Sequence, residues 1–173
     1  MRSNARAGER ILGSLGSADG KGIVRMEDRF DSDIDDVWSA LTDPTRLACW
    51  YGTVDGDLRV GGEYHARLFA SGWEGTGRVE ACEPRQRLQV RVTDAHEPDE
   101  QVIEAVLTAD GDETIVVWEE RGIPLELISA YGAGVQLHVE DLADHLAGRE
   151  RRGDVTARWS ELHPDYQGLA ASL

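Results

Sequence analysis

From Tyr64 onward the apolar spacing of this chain changes period once, at Pro124, and that change limits the fold more than any other feature. Upstream, short runs alternate apolar and polar residues: Tyr64, Ala66 and Leu68; Val79 and Ala81; Leu88, Val90 and Val92; Ile103, Ala105 and Leu107; then Thr114 to Glu120. Alternation by two marks strands buried on one face. Turn residues separate the runs, at Gly61-Gly62, Ser71 to Gly77, Glu83-Pro84-Arg85-Gln86 and Asp110-Gly111-Asp112. The last of these is the clearest hairpin turn. The acidic stretch 94–100, which contains Pro98, reads as an exposed loop. Downstream of Pro124, Ile128, Tyr131, Val135, Val139, Leu142 and Leu146 recur at i, i+3 and i+4 spacing. That spacing predicts one long helix, ended by Gly148. Gly132 and Gly134 within it each cost about 1 kcal/mol relative to alanine. They mark either a break near the helix start or a close approach to a sheet.

Smaller elements flank these. Val24, Met26 and Phe30 predict a strand, with ordered structure beginning at Ile23. Ser32 or Asp33 can accept the first free amides of a helix, and Asp35 and Asp36 suit the positive end of its dipole. Ile34, Val37, Trp38 and Leu41 then face a core. Thr42-Asp43-Pro44 stops that helix and starts a second, Thr45 to Trp50, with Pro44 where its missing donor costs little. Residues 1–22, rich in glycine and serine, read as a flexible N-terminal arm anchored at most by Ile11, Leu12 and Leu15. Residues 149–173 begin with Arg149, Arg151 and Arg152 and then carry Trp159, Leu162, Tyr166 and Leu169. They predict one or two short helices docked on the domain. Strands segregated from helices mean an α+β fold, a curved antiparallel sheet wrapped around the long helix. Such a grip leaves a cavity between them.

Charge narrows the partners. The 173 residues include 18 basic and 33 acidic side chains, a net charge of −15. That field repels phosphate backbones and anionic lipid, so neither nucleic acid nor a membrane surface is expected as a partner. No window offers 18 uncharged apolar residues, and residues 1–22 hold no apolar stretch of signal-peptide length, so neither spanning nor secretion is expected. Cys49 and Cys82 are too few for a disulfide framework or a four-thiolate zinc site. They read as buried thiols in a reduced cytoplasm.

Few residues announce chemistry. Glu120 shares a strand face with Val116 and Trp118. It either lies at a cavity mouth with a raised pKa, able to act as acid or base or to hold a polar head, or it emerges to solvent or pairs with an arginine such as Arg78. His138, Asp141 and His145 fall on one side of the long helix. The two histidines, however, are about 10 Å apart along it, too far to share one metal ion. No glycine-rich phosphate loop and no serine nucleophile elbow occur.

Residues 30–50 carry a resemblance. The run Phe30-Asp-Ser-Asp-Ile-Asp-Asp-Val37-Trp38, followed by Leu41-Thr-Asp-Pro44 and Trp50, resembles the SRPBCC (START-like, helix-grip) superfamily. Within it, the homologues of the heat-shock-protein ATPase activator are the best match. Gly61-Gly62, Gly77-x-Val79, Glu83-Pro84-x-x-x-Leu88, Thr114 and the segment Gly134 to Gly148 continue the likeness in order. It spans about residues 23–148 and leaves the arm and the tail outside.

The resemblance implies a hydrophobic cavity for a small apolar or amphipathic molecule. Its lining is then Trp50, Tyr64, Leu68, Trp73, Trp118, Glu120, Tyr131, Val135, His138 and Leu142. It does not imply one activity, since the superfamily also holds cyclases, oxygenase subunits and co-chaperone domains. The first expectation is a non-catalytic binding role with no catalytic residue, cofactor or metal. Two alternatives stay open: a co-chaperone-like module that stimulates a chaperone ATPase, and a cyclase- or hydratase-type enzyme using Glu120 and a cavity tyrosine. The chain departs from the family at Asp33, where relatives often have proline, and at Val135, where they often have tryptophan. Valine in place of indole leaves a gap, so the expected pocket is roughly a few hundred Å³.

Overall fold

The computed structural model describes residues 10–96 and 99–173. Helix α1 (Ile34–Thr42) starts where Asp33 accepts the amide of Asp36 at 2.9 Å, and buries Val37, Ala40 and Leu41. Asp43 ends it and caps α2 (Pro44–Trp50) by accepting the amide of Thr45 at 2.9 Å. Trp50 ties the pair together, its indole Nε1 donating to the Ala40 carbonyl at 3.1 Å.

Eight strands form one antiparallel sheet. They are β1 (Gly13–Ala18), β2 (Lys21–Phe30), β3 (Gly52–Gly56), β4 (Glu63–Leu68), β5 (Glu74–Glu83), β6 (Arg87–Asp94), β7 (Gln101–Asp110) and β8 (Glu113–Ile123). Their spatial order is β1-β2-β8-β7-β6-β5-β4-β3. On β8 the even residues Thr114, Val116, Trp118 and Glu120 are buried on the inner face. Met26 of β2 and Ala105 of β7 flank Trp118 there. The outer face carries ion pairs instead: Arg87 to Glu104 at 2.6 Å, Arg91 to Glu80 at 2.6 Å and Arg121 to Glu119 at 2.6 Å. The pleat thus keeps these arginines away from the inner face. One register shift, between Val79 and Ala81, swaps parity on β5 and places Cys82 opposite Leu88. The strict alternation of Val79 and Ala81 read from the sequence breaks at this bulge.

A 3-10 turn (Leu125–Leu127) leads into α3 (Ile128–Leu146), which the sheet grips, and α4 (Val155–Ala170) packs on α3. The tail is one helix, continuing through Pro164, where the sequence allows for two. Among the described residues no helix is long and apolar enough to cross a membrane.

The largest departure from expectation lies at the N-terminus. Order does not wait for Ile23: Gly13–Ala18 pairs in full register with Lys21–Met26, through a turn at Asp19-Gly20. The reading of residues 1–9 as part of a flexible arm falls outside the described residues. Strand β1 is anchored by side chains far along the chain. Gln136, fully buried on α3, accepts the Leu12 amide at 3.1 Å and the Tyr166 hydroxyl at 2.5 Å, and donates to the Arg10 carbonyl at 2.8 Å. The Tyr166 hydroxyl in turn accepts the Gly13 amide at 3.0 Å. Every hydrogen-bonding group of this buried knot is used, as burial demands.

The helix glycines have different roles. A Cβ on Gly132 would overlap the Tyr166 ring, whereas one on Gly134 would meet nothing within 4 Å. The close approach is therefore to α4, not to the sheet, and α3 does not break. Gly134→Ala is expected to raise stability by about 1 kcal/mol through helix propensity. Gly132→Ala is expected to lower it by about 1–3 kcal/mol through overpacking. Thermal midpoints of the two variants check this, and equal shifts would contradict it.

Candidate functional site

Between the inner faces of β3–β8 and the helices α2, α3 and the start of α4 lies a cavity of about 1120 Å³. This exceeds the expected few hundred Å³. Small side chains on both walls account for the difference: Ala66, Gly75 and Ala105 on the sheet, Ala130 and Gly134 on the helix. Exposed residues, among them Ser71, Glu74, Thr76 and His96, form a rim open to solvent.

Trp50, Tyr64, Leu68, Trp73, Trp118, Glu120, Tyr131, Val135 and His138 all line the space. Leu142 does not. It is fully buried in the packed core beyond the cavity, so its expected place in the lining is corrected. Trp50 is mostly a structural wall, only 2% exposed and with its indole already bonded. Tyr64 lies across β5 at Gly77, where a Cβ would collide with its ring, and Trp73 lies likewise over Gly75. Glycine on β5 thus makes room for two aromatic faces.

The polar groups cluster at the β8 end. Glu120 is 8% exposed, and its Oε1 accepts the Trp118 indole at 3.2 Å. Burial pushes its carboxyl up to about 7, against a smaller opposing effect of the indole bond. It neither emerges to solvent nor meets Arg78, which pairs with Glu80 on the outer face at 3.5 Å. His138 is driven down to about 4 by burial, so it is neutral at physiological pH. Its ring meets Tyr51 edge-on at 4.9 Å, and Tyr51 meets Trp118 at 5.9 Å. Burial raises the Tyr51 hydroxyl well above its ordinary value, with the Glu120 charge adding to it, and raises that of Tyr64 to about 12. The Tyr131 hydroxyl accepts from Gln101 Nε2 at 2.9 Å.

Sequence reasoning missed Tyr51, Gln101 and Trp159. Tyr51 adjoins the singled-out Trp50, and the end of α2 was the signal that one of the pair must face inward. The other expectations divide as follows. His138, Asp141 and His145 go three ways: His138 into the cavity, Asp141 into a smaller pocket lined by Arg152, and His145 onto Arg46 at 3.2 Å. Among the described residues no group of three or more metal-binding side chains assembles. The thiols are not buried as expected. Cys49 is exposed at the solvent side of α2, and Cys82, turned inward by the β5 bulge, is half-buried on the cavity wall.

This geometry has known counterparts. The crystal structure of CalU16 from Micromonospora echinospora superposes with a TM-score of 0.75 at 24% identity, over 91% of this chain and 95% of that one. DynU16, a protein of the dynemicin biosynthetic locus, gives 0.68 at 27% identity over 78% of this chain and 52% of that one, so the likeness spans about half of DynU16. A protein from Mesorhizobium loti, MLL2253, gives 0.65 at 23% identity, over 73% of this chain and 97% of that one. No curated protein sequence matches the chain. The family model described as activator of Hsp90 ATPase homolog 1-like protein matches residues 31–147, from α1 to the end of α3. With more than half its length in that match and a sheet wrapped around one long helix, the chain belongs to the activator of Hsp90 ATPase homolog 1-like family, within the SRPBCC helix-grip superfamily.

Proposed function

We propose that the protein is a non-catalytic binding domain that takes one small hydrophobic or aromatic molecule into the sheet–helix cavity. The observation that carries this reading is the space itself. Aromatic and aliphatic side chains line it without filling it, and a volume of about 1120 Å³ suits a small molecule. Half-buried Tyr64, Leu88, Val90 and Ile103 keep apolar surface open to that space, which costs stability unless a ligand covers it. Unpaired thiols fit a reducing, cytoplasmic setting. The likeness to DynU16, a protein of a biosynthetic locus, supports a small-molecule partner over a chaperone.

Val135→Trp tests the reading. Val135 is 4% exposed and faces the cavity from α3, beside Gly134. An indole there enters open space, so the substitution is expected to cost less than about 1 kcal/mol while strongly reducing uptake of Nile red, a neutral apolar dye. In a filled core the same change costs about 1–3 kcal/mol. A parent that takes up no dye, with a strongly destabilised variant, overturns the proposal.

A further inference from the structure

We infer that the ligand is a cationic amphiphile, an apolar or aromatic molecule carrying a protonated amine that lies against the Glu120 carboxylate. This rests on the ligand-binding reading of the cavity and assigns the charge of what it takes.

The wall chemistry is one-sided. The chain has 18 lysines and arginines, yet among the described residues none lines the cavity. Its carboxylates there are Glu120 inside and Glu74 and Asp94 nearer the rim. The pleat explains the segregation, since Arg87, Arg91 and Arg121 all occupy outer-face positions on β6 and β8. An amphiphile with a carboxylate head would find no counter-ion inside.

Glu120 also differs from three sheltered carboxylates that arginines hold. It differs too from Asp141, which is buried without an ion pair among the described residues but lines the smaller pocket beside Arg151 and Arg152. Glu104 is bonded by Arg87 and Arg121, Glu80 by Arg91 and Gln89, and Glu140 by Arg158, Arg152 and Gln136. Glu120 has one neutral donor, the Trp118 indole on Oε1, and its Oε2 has no hydrogen-bond partner among the described residues. A buried carboxylate without a cation is costly. The neighbouring imidazole does not supply one, because burial keeps His138 neutral. An ammonium group arriving with a ligand completes the pair. The overall charge of −15 raises the local concentration of cations at the mouth.

Three probes of one skeleton test this: 2-naphthylmethylamine, 2-naphthylmethanol and 2-naphthoate, each competing with Nile red at pH 8. The amine is expected to bind at least about tenfold tighter than the alcohol, and the carboxylate weakest. In Glu120→Gln the amine-to-alcohol ratio should fall to about one. Asp112→Asn, which removes the same charge from the exposed β7–β8 turn, should keep it, and so separates the site from the bulk field. Equal affinity of amine and alcohol overturns the inference, as does a preference that survives Glu120→Gln or is lost in Asp112→Asn. If Nile red binds and no probe displaces it, the inference fails while the binding reading stands. If Nile red itself does not bind, the binding reading fails first.

Discussion

Glu140→Ala is expected to destabilise the fold by about 3–5 kcal/mol, the range for breaking a buried ion pair by removing one partner. Glu140 is 9% exposed and sits where α3 meets α4. Its Oε1 accepts from Arg158 Nη2 at 2.7 Å and Gln136 Nε2 at 3.0 Å, and its Oε2 from Arg158 Nε at 3.0 Å and Arg152 Nη2 at 3.1 Å. Burial works to raise the carboxyl, but the bonds from Arg158, Gln136 and Arg152 outweigh it and hold the pKa below the ordinary value. A depressed carboxyl stabilises above its unfolded pKa and loses that contribution as pH falls through the folded one. Urea unfolding at pH 7 should therefore show the large loss, shrinking in strongly acidic buffer. A variant within 1 kcal/mol of the parent at pH 7 would mean that α4 is held by its apolar contacts alone.

Glu120→Gln is expected to act in the opposite direction. With the folded carboxyl raised to about 7 from 4.5, the folded state keeps its proton where the unfolded state has released it. Stability then falls as pH rises from about 4.5 to about 7, and stays low above that. An amide of the same shape carries no such penalty, so the variant should be more stable by about 3 kcal/mol at pH 8 and equal to the parent near pH 4. Asp141, raised to about 6 by burial, adds a slope of the same sign to both proteins. His138, lowered to about 4, adds one of opposite sign: stability falls as pH drops from 6.5 towards 4. Only the difference between variant and parent isolates Glu120. A difference that does not change with pH would place the carboxylate in contact with bulk water.

Much of the scaffold is written in local signals. Asp33, one of the two candidates, caps α1, Thr42-Asp43-Pro44 divides α1 from α2 where it stands, and Gly111, at φ 63°, turns the β7–β8 hairpin at Asp-Gly-Asp. The alternation through Glu120 shows which residues of β8 face inward, and that is how most of the cavity wall becomes readable. What stays hidden depends on partners distant in sequence. Strand β1 has almost no strand-forming pattern of its own and exists because β2, Gln136 and Tyr166 satisfy it. The face of α3 that holds Gly132, Gln136 and Glu140 looks solvent-directed in a helical projection, since its partners belong to the tail and the first strand. A bulge leaves no mark in composition, so the inward turn of Cys82 is visible only in the register. Leu142 fits the apolar stripe that lines the cavity and is separated from it only by where the cavity ends.

The buried knot at Gln136 and Tyr166 also has a kinetic side. Its bonds to the Leu12 and Gly13 amides join residues 124 and 153 positions apart. Contacts between such distant residues require large loops to be closed, and so they are expected to form late, after local turns and hairpins have cut the chain entropy. A φ-value near zero for Gln136→Ala would check this. Interactions absent from the folding transition state change the unfolding rate and leave the folding rate almost untouched. Strengthening or weakening this joint therefore alters how long a folded molecule survives before opening, and hardly at all how quickly a new one is made.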